Sequence, residues 1–228
     1  MVYGARDFAG EPLFWAVARL IHRGGMSAVT VRAAAAEAGC SVGFMRHYYD
    51  NKSMLLACTY ELVMDAQLHR LEEILWARKG MPEMFPTGAP PEEPLGPARA
   101  AELLATCLDQ GEQRELLVGV QLSFHALAHH DGVLGGPVSS YHRRLQEDCM
   151  HVLREAGVPA PAIEAEAVDL WTLVIGLTAL IPGLATEDPG RRIGSLTSEQ
   201  VVGALRRHLE AAVARHAAPE PPALDVAG

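Results

Sequence analysis

The sequence predicts an all-α fold, and three features of its 228 residues support this prediction. Alanine and leucine are abundant and only 6% of the residues are aromatic, which favours helices because small and straight-chain residues lose little freedom in them. Apolar residues recur at helical spacing along most of the chain. No segment of the sequence shows the two-residue alternation that is typical of strands.

The first third of the chain predicts three short helices followed by a long one. These helices are expected over residues 12–23, 30–38, 41–49 and 52–79. Pro12 suits the first position of a helix, and Gly24 and Gly25 are expected to end that helix. Thr30 and Ser41 each stand where a side chain can cap the helix that follows.

The rest of the chain predicts five more helices, separated by loops. They are expected over residues 98–109, 112–130, 137–156, 162–181 and 198–216. Thr197 and Gln200 form the pattern of a capping box at the start of the last helix. Six prolines within residues 80–97 predict a loop, and residues 186–196 predict another. Residues 218–228 predict a disordered tail.

Charge is distributed unevenly along the chain. The whole sequence has a net charge of −9, yet residues 1–56 carry six basic and four acidic side chains. This first segment therefore has a net charge of +2, and the remainder has −11. A mildly basic N-terminal segment followed by an acidic remainder predicts a protein that contacts phosphates through its N-terminal part only.

Cysteine content and hydropathy predict a cytoplasmic protein. No two of the four cysteines form a C-x-x-C pair, so we expect reduced thiols at Cys40, Cys58, Cys107 and Cys149. No secretory signal pattern is visible at the start. The longest uncharged run, residues 170–186, has 17 residues and contains a proline. A membrane span needs about 20 residues, so no membrane segment is expected.

Residues 30–56 carry the pattern of a helix-turn-helix, in which two short helices are joined by a tight turn. The stretch reads TVRAAAAEAGCSVGFMRHYYDNKSMLL. Small residues at Ala34, Ala35 and Ala38 allow close packing of the first of these helices. Gly39 supplies the turn, because glycine adopts a positive φ without strain. Gly43 allows the backbone of the second helix to approach a partner closely.

This stretch resembles the signature of the TetR/AcrR family of transcription regulators, and the specific part of the match covers residues 12–56. The positions that match the signature are Thr30, Val31, Arg32, Ala35, Ala38, Gly39, Ser41, Gly43, Tyr48, Tyr49, Lys52 and Leu55. The rest of the chain resembles the family in its helical pattern and its length, and it broadly resembles BetI-type ligand domains.

The resemblance implies a one-component regulator with two domains. A three-helix DNA-binding domain is expected over residues 1–56, and a helical ligand-binding and dimerisation domain over residues 57–217. The resemblance further implies a homodimer that binds a palindromic double-stranded DNA operator, represses transcription, and leaves the operator when a small-molecule effector binds. A metal-responsive regulator and a helix-turn-helix regulator without a ligand are the alternatives. Neither catalysis nor a cofactor is expected, because no Ser/His/Asp or Cys/His arrangement of recognisable spacing is present.

The same resemblance implies that the helix from Ser41 is the recognition helix, which enters the major groove. Residues expected to contact DNA are Thr30, Arg32, Ser41, Val42, Gly43, Phe44, Arg46, His47, Tyr48 and Lys52. Val42 and Phe44 suit thymine methyl groups, and Arg46 suits a base edge or a phosphate. The family more often has other residues in place of Val42, Arg46 and Tyr49, which affects the expected operator sequence and leaves the DNA-binding role intact.

A mostly apolar effector pocket is expected in the second domain, between the helices at 112–130, 137–156 and 162–184. Its candidate residues are Trp76, Cys107, Phe124, His125, His129 and Trp171. Core packing is the alternative for each of the aromatic residues. His125 and His129 have the spacing of zinc ligands, but the residue that follows His125 is Ala126, not the glutamate of a metalloprotease motif. No metal site is therefore predicted.

The dimer interface is expected on the last two long helices. The segment 162–184 is apolar on nearly all sides, so one stripe can face the protomer's own core while another faces a partner. Together with residues 198–216 it predicts a four-helix bundle across the two-fold axis. Leu177 is the residue at which we expect a charge to disrupt this interface.

Overall fold

The computed structural model describes residues 6–78, 93–108, 114–180 and 196–217. These residues form helices joined by short turns, and no strand occurs among them, which confirms the predicted fold class. The helices are α1 (Arg6–Ala28), α2 (Val31–Glu37), α3 (Val42–Tyr48), α4 (Lys52–Arg78), α5 (Pro97–Ala105), α6 (Arg114–Ala128), α7 (Gly132–Ala156), α8 (Ile163–Leu180) and α9 (Ser198–His216). A single 3₁₀ turn, Ala160–Ala162, precedes α8.

Two helices differ clearly from their predicted bounds. The first helix begins at Arg6, earlier than predicted, and its helical backbone is interrupted at Gly25, where φ is 67° and ψ is −173°. A short helical segment follows to Ala28, so the break lies where Gly24 and Gly25 were predicted to end the first helix. Helix α7 begins at Gly132, five residues before the predicted start. Asp131 caps it, since its carboxylate accepts a hydrogen bond of 2.9 Å from the backbone N–H of Val133. Pro137 consequently lies inside the helix.

Most of the two predicted loops, 80–97 and 186–196, lies outside the described residues, as does the whole tail predicted over 218–228. None of the four cysteines forms a disulfide. Among the described helices, none combines the length and the hydropathy that a membrane span requires.

Helix α7 is the central helix of the second half of the chain. It packs against α4, α5, α6 and α8, and α9 packs mainly on α5. The first half is joined to this body by α1, which packs against α6 as well as α2 and α4. Buried apolar side chains from both halves form one continuous core. A shift of α4 or α6 therefore acts on α1, which packs against both, and through α1 on α2.

Two arginines tie α4 to α7. The guanidinium of Arg144 donates to both carboxylate oxygens of Glu72 at 2.9 Å and to Asp65 at 2.5 Å. Near the other end of α4, Arg78 pairs with Glu155 and also donates to the carbonyl of Glu93 at 3.1 Å. Burial alone would lower the pKa of Arg144, but its hydrogen bonds to the two carboxylates outweigh burial and raise it.

The side of helix α8 that packs into the protomer's core is not the side that was predicted to do so. Leu177 is 5% exposed and lies in the protomer's own core with Leu170 and Val174. The prediction that it stands at a dimer interface is therefore wrong. The helix is apolar on nearly all sides, so its sequence does not distinguish the stripe that α7 and α9 cover from the stripe they leave open. The open stripe contains Val168, which is 45% exposed.

A buried carboxylate on α8 joins this helix to the end of α9. Glu166 accepts hydrogen bonds from Arg215 Nη2 at 2.5 Å and from His216 Nε2 at 2.9 Å. The bond from Arg215, followed by that from His216, holds the pKa of Glu166 below its usual value. This ion pair is the main polar link between the two helices that we expect to form the dimer interface.

We expect Glu166→Gln to lower the free energy of unfolding at neutral pH but not in acid. A carboxyl group whose pKa is lower in the folded chain stabilises the fold above the unfolded pKa, and that stabilisation is lost as the pH falls through the folded pKa. Urea denaturation in steps from about pH 7 to about pH 3 measures the difference. The exposed Glu210, which is 3.7 Å from Arg206, provides the control variant Glu210→Gln. A loss of equal size at every pH would contradict the role of the ion pair.

Candidate nucleic-acid interface and ligand site

The helix-turn-helix forms through local caps at the predicted positions. The Thr30 hydroxyl accepts from the N–H of Ala33 at 3.0 Å, and the Ser41 hydroxyl accepts from the N–H of Phe44 at 3.1 Å. Between the two helices, Gly39 takes a φ of 70°. The N–H of the next residue then donates back to the carbonyl of Ala35 at 2.9 Å and closes the turn. These bonds fix the angle at which α3 leaves α2.

Helix α3 has a buried side and an open side. Met45 is fully buried and anchors the helix in the core together with Tyr49, which follows its last turn. Seven of the ten residues expected to contact DNA are exposed, namely Thr30, Arg32, Ser41, Gly43, Phe44, Arg46 and His47. The other three, Val42, Tyr48 and Lys52, are half-buried. The structure thus gathers the expected residues on one surface around α3.

Aromatic packing orders the open side of α3. The ring of Tyr48 lies 5.0 Å from that of Phe44 and 5.0 Å, edge-on, from that of His47. These contacts restrict the rotamers of both neighbours, so that less side-chain freedom is lost when a partner binds. Phe44 still keeps 36% of its surface exposed, which leaves an apolar contact available at the end of α3 that would enter a groove.

Gly43 is not required by the fold of this chain. A Cβ atom built on it would meet only the Ser41 hydroxyl, at an ordinary contact distance of 3.9 Å, and its φ is not positive. The missing side chain therefore leaves the outer surface of α3 bare near its first turn. Such a surface suits close approach by another molecule.

Some charged residues of α1, α2 and α3 form ion pairs, and others do not. Glu37 is held by Arg19 at 2.8 Å and by Arg23 at 2.5 Å, and the bond from Arg19, followed by that from Arg23, lowers the pKa of Glu37. Arg32 and Arg46 are exposed and form no ion pair with any described residue. Their charge is consequently available to a partner, whereas Arg19 and Arg23 join α1 to α2.

Lys52 has a structural contact that the sequence did not reveal. Its ammonium group donates to the carbonyl of Met26 at 2.6 Å and so joins the start of α4 to the last turn of α1, just past the bend at Gly25. The expected contact of Lys52 with phosphate stays a prediction. Within the chain, Lys52 holds the first turn of α4 against the end of α1.

Three of the six expected pocket residues come together in one cluster of ring contacts. Phe124 is fully buried, and its ring lies 5.0 Å from that of Tyr60. The Tyr60 hydroxyl lies 3.0 Å from His125 Nε2. The ring of His142 is tilted against that of His125 at 4.8 Å between centroids and lies edge-on to that of Trp171 at 5.5 Å. Sequence reasoning did not select Tyr60 or His142, because these contacts join residues from separate helices.

The two histidines of this cluster are neutral at physiological pH. Burial, followed by the nearby His142 and His129, lowers the pKa of His125 to about 4. Burial also lowers the pKa of His142. The Nδ1 atom of His142 and the Nε1 atom of Trp171 are buried without a hydrogen-bond partner among the described residues. Within those residues, no group of three or more candidate ligands is arranged to hold a metal ion.

The other three expected residues lie outside the cluster of ring contacts. His129 is exposed at the turn after α6, and Trp76 is half-buried near the end of α4. Cys107 is buried, and its thiol donates to the carbonyl of Leu104 at 2.9 Å. Burial, followed by the charge of Asp148, raises the pKa of Cys107 to about 12, so its thiol stays protonated.

A cavity of about 190 Å³ opens on the other side of Tyr60, between α4 and α7. Its walls are formed by Tyr60, Glu61, Met64, Asp65, Pro137, Ser140, Tyr141 and Arg144. None of these residues was expected to line a pocket. A signal was nevertheless present, because the residues of each wall are spaced three or four apart along one helix. A second cavity of about 170 Å³ lies between α5 and α9, and Glu102 forms part of its wall.

Comparison with known proteins gives one family and many similar folds. Residues 97–214 match the family model described as the C-terminal domain of BetI-type transcriptional repressors. No curated protein matches the chain significantly.

Three similar crystal structures come from different bacteria. A transcriptional regulator of Rhodococcus sp. Rha1 is 21% identical, covers 93% of this chain and 100% of its own, and has a TM-score of 0.69. A protein of Pseudomonas aeruginosa PAO1 described as a transcriptional regulator is 21% identical, covers 89% of each chain, and has a TM-score of 0.67. One from Saccharomonospora viridis, solved in complex with choline, is 20% identical, covers 89% of this chain and 94% of its own, and has a TM-score of 0.56.

Proposed function

Because the chain belongs to the TetR family of transcriptional regulators, with a C-terminal domain of the BetI type, we propose that it is a repressor that binds a DNA operator through α3. The observation that carries this proposal is the open side of α3. It presents a bare backbone at Gly43, an ordered aromatic contact at Phe44 and an unpaired charge at Arg46. Bases, methyl groups and phosphates of the major groove are complementary to these three features.

A homodimer is part of the proposal. Two copies of α3 related by a two-fold axis fit two half-sites of a palindrome whose centres lie one helical turn of DNA, about 34–36 Å, or more apart. The open stripe of α8 and the neighbouring α9 are the proposed interface. Residues 1–56 are the proposed DNA-binding domain and residues 57–217 the proposed regulatory domain. This boundary falls within α4, which continues from one domain into the other.

Release of the operator by a small molecule completes the proposal. A ligand that binds better to a conformer with the wrong spacing between the two α3 helices lowers operator affinity by its differential affinity for the two conformers. The choline bound to the similar protein of Saccharomonospora viridis supports a small organic effector. Phe124, His125 and Trp171 remain candidates for the effector site, and their packing supports a role as its rigid back wall. Trp76, Cys107 and His129 are weaker candidates.

A contact between the start of α4 and the start of α7 supports such coupling. The hydroxyl of Ser53, in the first turn of α4, donates to the carboxylate of Asp131 at 2.8 Å. The same carboxylate caps α7. The bond from Ser53, followed by that from Val133, lowers the pKa of Asp131, so the contact is charged at neutral pH. A shift of α7 against α4 therefore acts on the helix that directly follows α3.

Arg46→Ala tests the proposed operator contact. We expect selection from a random DNA pool to yield a palindromic site, and we expect the variant to lose about 1–3 kcal/mol of binding free energy on that site if Arg46 reads a guanine. Fluorescence anisotropy on a panel of point-mutated operators measures the loss base pair by base pair. If Arg46 contacts phosphate, the loss is equal on every operator and the salt dependence becomes shallower by about one unit.

The control for this experiment is Arg99→Ala, which removes an exposed arginine from α5, outside α3 and the proposed dimer interface, and should leave operator affinity unchanged. Circular dichroism checks that both variants keep their helices. Unaltered affinity of Arg46→Ala on every operator would remove this side chain from the interface. Failure to select any DNA sequence would contradict the proposed function itself.

A further inference from the structure

We propose that Lys52 is a positioning residue for α3 and not a phosphate contact, and that its bond to the end of α1 sets the orientation in which α3 meets DNA. The inference rests on the proposed function, because it assigns one residue a role in operator binding. It departs from the role that the family resemblance implies for Lys52. The two roles differ in the group that the ammonium of Lys52 contacts.

The ammonium group of Lys52 is engaged inside the protein. Its Nζ donates to the carbonyl oxygen of Met26 at 2.6 Å, although 26 residues of sequence separate the two. Met26 lies two residues before the end of α1, where carbonyl oxygens have no N–H group one turn ahead in the same helix. A cation is a favourable donor at such a helix end. The ion pairs between described residues do not include Lys52, so this carbonyl is the partner that holds it.

A phosphate contact would compete with this bond. Lys52 is half-buried, and the bond itself is partly buried. A phosphate that drew the ammonium group outward would leave the Met26 carbonyl without its donor, which costs free energy in a partly buried position. Arg32 and Arg46, in contrast, are exposed and can meet phosphates without losing a partner within the described part of the chain.

The start of α4 is joined closely to the end of α3. The N–H of Tyr49 donates to the carbonyl of Met45 at 2.9 Å in the last bond of α3. The side chain of Asn51 accepts from the N–H of Met54 at 2.9 Å and so caps α4. Only Asp50 lies between these two bonded residues, Tyr49 and Asn51. A shift of the first turn of α4 therefore moves the end of α3.

Helix α3 is in this way held to α1 at both ends. Its start follows the turn at Gly39 from α2, and α2 is held by Glu37, which pairs with Arg19 and Arg23 of α1. Its end is held through α4 by Lys52. Two attachments fix the orientation of a helix, whereas one attachment leaves a hinge. An orientation that is fixed before binding lowers the free-energy cost of docking α3 on DNA.

Lys52→Met tests the proposal, because methionine has a similar length and donates no hydrogen bond from its side chain. Fluorescence anisotropy compares binding to the operator selected from a random pool with binding to mixed-sequence DNA. We expect the variant to bind the operator at least about tenfold more weakly, because a misoriented α3 loses base contacts. On mixed-sequence DNA, where phosphates supply the affinity, we expect the salt slope to stay within about 0.3 unit of that of the unaltered protein.

Two further variants serve as controls. Lys52→Arg retains a donor for the Met26 carbonyl, so it should bind the operator within about threefold of the unaltered protein. Arg143→Met removes one positive charge from an exposed position on α7 and should leave binding to both DNAs unchanged. Circular dichroism and thermal melting confirm that each variant is folded.

Amide hydrogen exchange of the full chain without DNA measures the effect on α3 separately. In Lys52→Met we expect residues 42–56 to exchange at least about fivefold faster, because one of the two attachments of α3 is gone. Residues 198–216, in α9, should exchange at an unchanged rate. Lys52→Arg should restore the exchange rate of residues 42–56.

Three outcomes would overturn the proposal. The first is operator affinity of folded Lys52→Met within about threefold of that of the unaltered protein. The second is a salt slope on mixed-sequence DNA that is shallower by about 0.9 unit, which would assign Lys52 to a phosphate. The third is a lower melting temperature with unchanged exchange in residues 42–56, which would leave a role in stability alone. If no operator can be selected, the proposed function fails, and the exchange rates still decide whether Lys52 orients α3.

Discussion

Val168→Glu is expected to convert the dimer to a monomer and to weaken operator binding by at least about a hundredfold, because a monomer engages one half-site without the effective concentration that the second one provides. Val168 is 45% exposed on α8, and the open stripe around it carries the small residues Ala165, Thr172 and Gly176. A carboxylate placed in such an interface is buried without a partner. Sedimentation velocity measures the oligomeric state, and anisotropy measures operator affinity.

Two glutamate variants serve as controls for this prediction. Leu177→Glu lies on the same helix but in the protomer's core, so it should unfold the chain, with loss of helical circular dichroism. Val133→Glu replaces an exposed valine on α7, away from the proposed interface, and should leave both the dimer and the fold intact. A Val168→Glu protein that remains a folded dimer would show that the open stripe of α8 is not the interface.

Phe124→Ala is expected to lower the free energy of unfolding by about 3–5 kcal/mol, which is typical of truncating a fully buried phenylalanine. The ring of Phe124 has no exposed surface and packs against that of Tyr60. Its removal leaves a cavity between α4 and α6 that rigid neighbouring helices cannot fill. Urea denaturation monitored by circular dichroism measures the loss.

The control is Phe44→Ala, which removes a phenylalanine from the exposed side of α3. It should cost much less stability than Phe124→Ala, and it should weaken operator binding instead. A loss of stability in Phe124→Ala no larger than that in Phe44→Ala would contradict the role of Phe124 as a core residue.

Local chemistry made the helix-turn-helix predictable. The caps at Thr30 and Ser41 involve atoms only three residues away, and the turn at Gly39 depends on a property of glycine itself. The same local reasoning failed at Pro137. Proline suits the first position of a helix, but here the cap by Asp131 starts α7 five residues earlier. Asp131 also contacts Ser53 of α4, which is distant in sequence, so local patterns did not reveal this start.

The candidate ligand site was less predictable, because its contacts are distant in sequence. Arg144 meets Asp65 across 79 residues, and Tyr60 meets His125 across 65. A pattern within one helix indicates which residues share a face, but it does not indicate which other helix covers that face. Phe124, His125 and Trp171 were selected because each is an unusual residue on an apolar helix, and their contact with an effector stays a prediction. The position of Tyr141 and Arg144 in the wall of a cavity follows only from the packing of α4 against α7.

The start of α7 has a low local stability that follows from its composition. Gly135 and Gly136 each cost about 1 kcal/mol relative to alanine in a helix, and Pro137 cannot donate a hydrogen bond to the carbonyl of Val133. The cap by Asp131 offsets part of this cost. We therefore expect these first turns to open and close as a unit, independently of global unfolding. Each opening would release Ser53 and remove Pro137 from the cavity wall together. Occupancy of the cavity and order in the first turn of α4 are then thermodynamically linked through this short segment.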